Sequence, residues 1–96
     1  MSLLEIEIPP AVATYVRHCH PQLRQSLKEA LRALAADPNL GEPLKDELAG
    51  LWKYRVRRFR IVYDVDHKAR LLRVLAIGHR RSVYEGLAES RRSRVD

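Results

Sequence analysis

The chain has 96 residues, 46% of them hydrophobic, which suits one globular domain with a modest core and excludes a disordered chain. The formal net charge is +6, divided as −2 over residues 1–50 and +8 over residues 51–96, an asymmetry that points to nucleic acid or to an acidic protein partner. A single cysteine, Cys19, excludes an internal disulfide and fits a reducing cytoplasm, and no apolar run is long enough for a membrane span or a signal peptide.

Leu3–Ile8 alternates Leu4, Ile6 and Ile8 against Glu5 and Glu7, so a short first strand is expected. Pro9 and Pro10 end it, and Pro10 suits the first turn of a helix. Val12, Tyr15, Val16 and Cys19 then recur at helical spacing until His20-Pro21 interrupts them. A second helix is predicted from Pro21 to Ala36. Leu23, Leu27, Ala30, Leu31 and Leu34 form its buried stripe, and Arg24, Lys28 and Arg32 its wet side. Asp37-Pro38-Asn39 stops it. The two helices form a helical hairpin expected to cover one face of a sheet. Residues 39–50 contain Gly41, Pro43 and Gly50 and read as a connecting loop pinned by Leu40, Leu44 and Leu48.

Leu51–Asp66, LWKYRVRRFRIVYDVD, alternates apolar and charged residues and reverses in its middle, the pattern of a β-hairpin. A two-residue turn at Arg57-Arg58 would oppose Val56 to Phe59, Arg55 to Arg60, Tyr54 to Ile61, Lys53 to Val62 and Trp52 to Tyr63. Directly opposed residues share a face. One face then carries Trp52, Tyr54, Val56, Phe59, Ile61 and Tyr63 and is a core face. The other carries Lys53, Arg55 and Arg60, with Arg57 and Arg58 at the tip. Such a turn needs positive φ, which arginine disfavours. Opposed like charges repel, so the cationic face is either a solvated surface balanced by nearby acids or a site for a polyanion. Stiff strands suit the latter, because they hold guanidinium and ammonium groups in fixed positions.

His67–Arg70 makes the next turn. Leu71–Ile77 is apolar on both faces and is expected to be central and covered, with Gly78 closing it. Ser82-Val83-Tyr84-Glu85 fits a capping box that opens a last helix running to about Ser90, thin in apolar residues. Residues 91–96 form a basic tail expected to fray. No repeat or second domain is visible, so residues 1–96 make one domain.

Arg80, Arg81 and Tyr84 meet at the start of that last helix, where free N–H groups and the helix field suit a phosphate and would lower the pKa of a phenol. An RNA phosphodiester carries its own nucleophile, the 2′-hydroxyl. Cleavage needs a base beside it, cations on the phosphate oxygens and an acid at the leaving 5′-oxygen, without a metal. Lys53, Arg55, Arg60, Arg80 and Tyr84 include candidates for each role, set against plain anion binding. His79 is a second acid/base candidate because it titrates near neutrality. His18-Cys19-His20 is a poor metal site, since adjacent helical positions diverge. Ser82 is the one serine with a nearby histidine, His79, and no third orienting group is evident, so a hydrolase triad is not expected; the sequence has no glycine-rich phosphate loop.

The runs Gly50–Val56, Phe59–Tyr63 and Ile77–Tyr84 resemble the RelE/ParE superfamily of type II toxin–antitoxin toxins, over nearly the whole chain. The resemblance implies an α+β fold: a β-α-α-β-β-β core with a mostly antiparallel sheet, a helical hairpin on one face and a short C-terminal helix. It implies a small cytoplasmic toxin held inactive by a cognate antitoxin. For the RelE branch it implies an mRNA interferase, a metal-independent endoribonuclease that cuts mRNA on the ribosome through 2′-hydroxyl attack and so inhibits translation. Lys53, Arg55, Arg60 and Arg80 would hold phosphate; beyond the resemblance, the charge and placing of Arg57, Arg58 and Arg81 make them further candidate RNA-binding cations. Tyr84 would be the base or would orient the 2′-hydroxyl. No cofactor, metal or membrane is implied. The alternatives are the ParE branch, which shares the fold and poisons DNA gyrase, and an inactive binding module. Retention of Tyr84 with all four cations favours the RelE branch, while Arg57-Arg58 and His79 depart from its usual residues.

Overall fold

A computed structural model describes residues 3–79. Seven elements follow in order: β1 (Glu5–Glu7), α1 (Pro10–Arg17), α2 (Pro21–Ala36), β2 (Glu42–Pro43), β3 (Trp52–Val56), β4 (Phe59–Asp66) and β5 (Leu71–His79). The strands form one sheet in the order β1-β5-β4-β3-β2. Only β1 joins in parallel, to β5; the other pairs are antiparallel. The fold is thus α+β, with both helices on one face of a mixed sheet. Among the described residues no helix is long and apolar enough to cross a membrane.

Local chemistry explains the helix limits. Pro10 and Pro21 each occupy the first turn of their helix, where the missing N–H costs nothing. His20 caps α2, its Nδ1 accepting from the Gln22 N–H at 3.3 Å. His18 instead turns its Nδ1 to the Thr14 carbonyl at 2.8 Å, closing α1. Cys19 follows the end of α1 and donates to the Tyr15 carbonyl at 3.3 Å. These three neighbours therefore serve helix ends. Among the described residues no group of histidine, cysteine and carboxylate side chains could hold a metal ion.

The helix-side core joins Leu27, Ala30, Leu31 and Leu34 of α2 to Val56, Ile61, Tyr63, Leu72, Val74 and Ile77 of the sheet. Leu27, Leu34, Ile61, Tyr63 and Leu72 are fully buried. A second, smaller core lies on the opposite face, where Leu48 and Leu51 close over Val62, with Leu44 and Leu75 beside them. A β-bulge serves both cores. Val62 pairs with Ala76 but Tyr63 pairs with Val74, so β5 carries one extra residue, Leu75. Val74 and Ile77 can both face the helices while Leu75 fills the second core.

The hairpin pairs as the alternation requires: Trp52 with Tyr63, Lys53 with Val62, Tyr54 with Ile61, Arg55 with Arg60 and Val56 with Phe59. Its loop is Arg57-Arg58, and φ is +57° at Arg57. That positive φ at the first loop position is one where glycine is usual, and holding arginine there costs about 1 kcal/mol. Three features differ from the sequence expectation. Residues 39–50 are not a plain loop, because they include β2 and short 3₁₀ turns at Pro38–Leu40 and Asp46–Leu48. Leu40 remains exposed while Leu48 is buried. Strand β5 runs past Gly78 to His79.

Candidate functional site

Lys53, Arg55 and Arg60 share the sheet face opposite the helices, as their alternation with Tyr54, Val56 and Ile61 dictates. Together with Tyr54, Leu40 and Glu42 they line an open groove of about 340 Å³. Two of the cations are held by backbone. The Arg55 Nε donates to the Arg57 carbonyl at 3.1 Å, and an Arg60 Nη donates to the Phe59 carbonyl at 3.2 Å. Each guanidinium retains further N–H donors for an anion in the groove. Lys53 stands 3.8 Å from the Glu42 carboxylate, an exposed pair of modest strength that fixes direction more than it stabilises the fold. No carboxylate partners Arg55 or Arg60 among the described residues. Two guanidinium groups directly across a sheet have the donor geometry that suits a diester or a carboxylate.

Neither Glu42 nor Leu40 is a site candidate from sequence, which gives Leu40 only a part in pinning the loop. Glu42 reaches the groove because β2 pairs with β3 and sets it directly opposite Lys53. The available signal was Pro43, which suits an outer strand that need not donate. Pairing of β2 needs a residue without a side chain at Gly41: a Cβ there would overlap the Tyr63 hydroxyl and the Lys53 carbonyl. Tyr63 is fully buried, stacks on Trp52 with ring centroids 6.4 Å apart, and donates its hydroxyl to the Pro38 carbonyl at 2.6 Å. Burial pushes this phenol up to about 12, so it remains a donor at neutral pH. Trp52 and Tyr54 pack against the helix-side core, as the alternation requires.

His79 lies elsewhere. It pairs with Phe59, and the two rings approach to 4.1 Å between centroids. Phe59 in turn meets Tyr15 of α1 at 6.5 Å. The imidazole therefore sits on the helix side, whereas Gly78 is the residue opposite Arg60. The structure brings Lys53, Arg55 and Arg60 together and does not bring His79 to their face. Arg57 and Arg58 are exposed at the hairpin tip. Arg80, Arg81 and Tyr84, with the capping box, the last helix and the basic tail, lie outside the described residues.

The open face is divided by charge. Away from the cations, Asp64 accepts from Arg73 through two N–H groups, at 2.9 and 3.2 Å. That geometry holds the Arg73 guanidinium above its ordinary pKa, the hydrogen bond to Asp64 contributing most. Here the arginine is matched, in contrast to Arg55 and Arg60.

A family model described as the ParE toxin of the type II toxin–antitoxin system parDE matches residues 11–84. No curated protein sequence matches the chain. Among solved structures, the toxin–antitoxin complex RelBE2 from Mycobacterium tuberculosis is similar with a TM-score of 0.75 at 23% identity, covering 83% of this chain and 94% of that one. A doubly arginine-substituted mutant of the E. coli toxin RelE in the free state gives 0.74 at 17% identity, covering 99% and 100%. A YoeB/ParE toxin from Agrobacterium tumefaciens gives 0.69 at 19% identity, covering 80% and 99%. At these identities the likeness carries the fold.

Proposed function

Because the chain belongs to the ParE toxin family of type II toxin–antitoxin systems, within the RelE/ParE superfamily, we propose that it is a RelE-like, metal-independent endoribonuclease that cuts ribosome-bound mRNA. The observation that supports this reading most is the convergence of Lys53, Arg55 and Arg60 on one groove of the stiff hairpin. The two arginines grip the non-bridging oxygens of a phosphodiester through donors that the fold has left free. The adjacent 2′-oxygen attacks phosphorus, and the bond from phosphorus to the 5′-oxygen breaks. The proton of the 2′-hydroxyl passes to a base, and the 5′-oxygen takes up a proton as it leaves. In this reading Tyr84 serves as that base or orients the hydroxyl. Arg80, which follows His79 in the chain, adds a fourth cation to the phosphate, and Arg57, Arg58 and Arg81 extend the track for the RNA. His79 is the alternative acid/base group, and its packing on Phe59 asks for rotation of the imidazole before it can serve.

The proposed partners are the ribosome with its mRNA and a cognate antitoxin, and the proposed setting is the cytoplasm. RelBE2 from M. tuberculosis was solved as a toxin–antitoxin complex. An acidic, amphipathic antitoxin segment would neutralise the unbalanced guanidinium pair. A second reading, poisoning of DNA gyrase, is favoured by the ParE description of the matching family.

Induction of this chain without an antitoxin, with mapping of mRNA 5′ ends, separates the two. Clustered new ends within translated reading frames, lost in Tyr84→Phe and Arg80→Ala, are expected. Intact mRNA together with an induced DNA-damage response would overturn the nuclease in favour of the gyrase reading. Absence of toxicity on induction would leave an inactive binding module.

A further inference from the structure

The groove has a wall that the hairpin does not make. Residues 38–43 pass along its side and contribute Leu40 and Glu42. They lie at the outer margin of the sheet, where β2 pairs only with Trp52 and Lys53. A two-residue strand supplies little ladder of its own, so something else must hold this segment. A buried side chain supplies such a tie. The Tyr63 side chain passes through the helix-side core, and its hydroxyl ends against the Pro38 carbonyl at 2.6 Å. Gly41 sits over that same hydroxyl so closely that no Cβ fits between. Residues 38–41 are thus gripped from beneath by a buried donor, and Glu42 follows immediately.

We infer that Tyr63 is a positioning residue for the cationic groove: its hydroxyl fixes the 38–43 segment so that Glu42 meets Lys53 and Leu40 closes the groove. The inference rests on the nuclease reading for its consequence, but its geometry does not. Lys53 has four rotatable side-chain bonds, and its direction is a large entropic freedom unless a partner restrains it. Glu42 is mostly exposed, so its own hold on the lysine is weak. The tie beneath Gly41 removes the backbone freedom that would otherwise leave that pair unmade. Tyr63 acts from the side of the sheet opposite the groove, and touches no substrate.

The test compares Tyr63→Phe, Glu42→Gln and the double variant. The readouts are backbone amide exchange at Gly41 and Glu42, and affinity for a fluorescein-labelled RNA hexanucleotide whose 2′-O-methyl groups prevent cleavage. Tyr63→Phe is expected to accelerate exchange at both amides and to weaken RNA binding by about threefold to tenfold, the worth of one buried hydrogen bond. Glu42→Gln also removes a negative charge from the groove, so the expected mark of a shared role is non-additivity: its effect on binding in Tyr63→Phe differs from its effect in the wild type. A purely structural role would lower the unfolding temperature and leave exchange at Glu42 and RNA affinity unchanged; that result, or fully additive effects of the two changes, overturns the inference. Should Tyr63→Phe fail to fold, exchange in the wild-type protein decides: amides of Gly41 and Glu42 protected like those of the central strands support the tie, and amides that exchange as fast as a free loop overturn it. Should the wild-type protein show no affinity for the free RNA, exchange at Glu42 in Tyr63→Phe decides the positioning role by itself, and the nuclease reading is judged separately by cleavage of ribosome-bound mRNA.

Discussion

Replacing Arg55 and Arg60 together by alanine is expected to abolish toxicity while leaving the fold intact or slightly firmer. The two guanidinium groups are opposed across the hairpin and neither has a carboxylate partner among the described residues. Like charges so placed cost the folded state a few tenths of a kcal/mol up to about 1 kcal/mol, which the double substitution removes. Cleavage should move in the other direction. Loss of one pre-arranged donor to a developing charge typically lowers turnover about 10²–10³-fold, and this change removes two. The checks are a growth assay on induction, cleavage of translated mRNA, and thermal unfolding of the same purified protein. Sustained toxicity in the double variant would show that the groove is not where the chemistry occurs. A large fall in stability would show that the cations have structural partners.

Leu27→Ala should have the largest effect on the fold. Leu27 is fully buried at the centre of the helix-side core, between α2 and the sheet. Truncation there removes transfer free energy and leaves a cavity that the strands cannot collapse to fill, a loss of about 3–5 kcal/mol. For a domain of this size that is a substantial share of a total near 5–15 kcal/mol. Leu48→Ala, in the smaller core on the groove side, should cost less, about 2–3 kcal/mol, because Leu48 keeps some exposure and has fewer buried neighbours. Urea unfolding of both variants checks the order. Equal losses would mean that the two cores are not the unequal pair described.

The hairpin was legible because alternation in LWKYRVRRFRIVY has a single register that hides every aromatic residue and exposes every cation. The long second helix was legible for the same reason at another period, its leucines and alanines recurring on one side. The position of His79 was not. Counting back from the turn at residues 67–70 in a regular ladder would set Gly78, not His79, opposite Phe59. The extra residue at Leu75 shifts the pairing by one, and that shift carries the imidazole to the helix side. Nothing in LLRVLAIGH announces a bulge, because apolar residues fit either face of a strand covered twice. Strand β2 was hidden for a different cause. Two residues have no periodicity, and their pairing depends on a tertiary fit between Gly41 and Tyr63, which are distant in sequence. The carboxylate of Glu42 entered the groove with them.

Arg57 shows a trade between robustness and charge. It keeps a bulky side chain where the backbone turns left-handed, a place that glycine would fill with less strain. Laboratory selection for thermal tolerance alone, with no demand for toxicity, should therefore replace this arginine early, and the survivors should be sturdier and less cationic. Its persistence beside Arg58 at the hairpin tip would then register a need for electrostatic reach that the folded chain, judged by its own comfort, does not have.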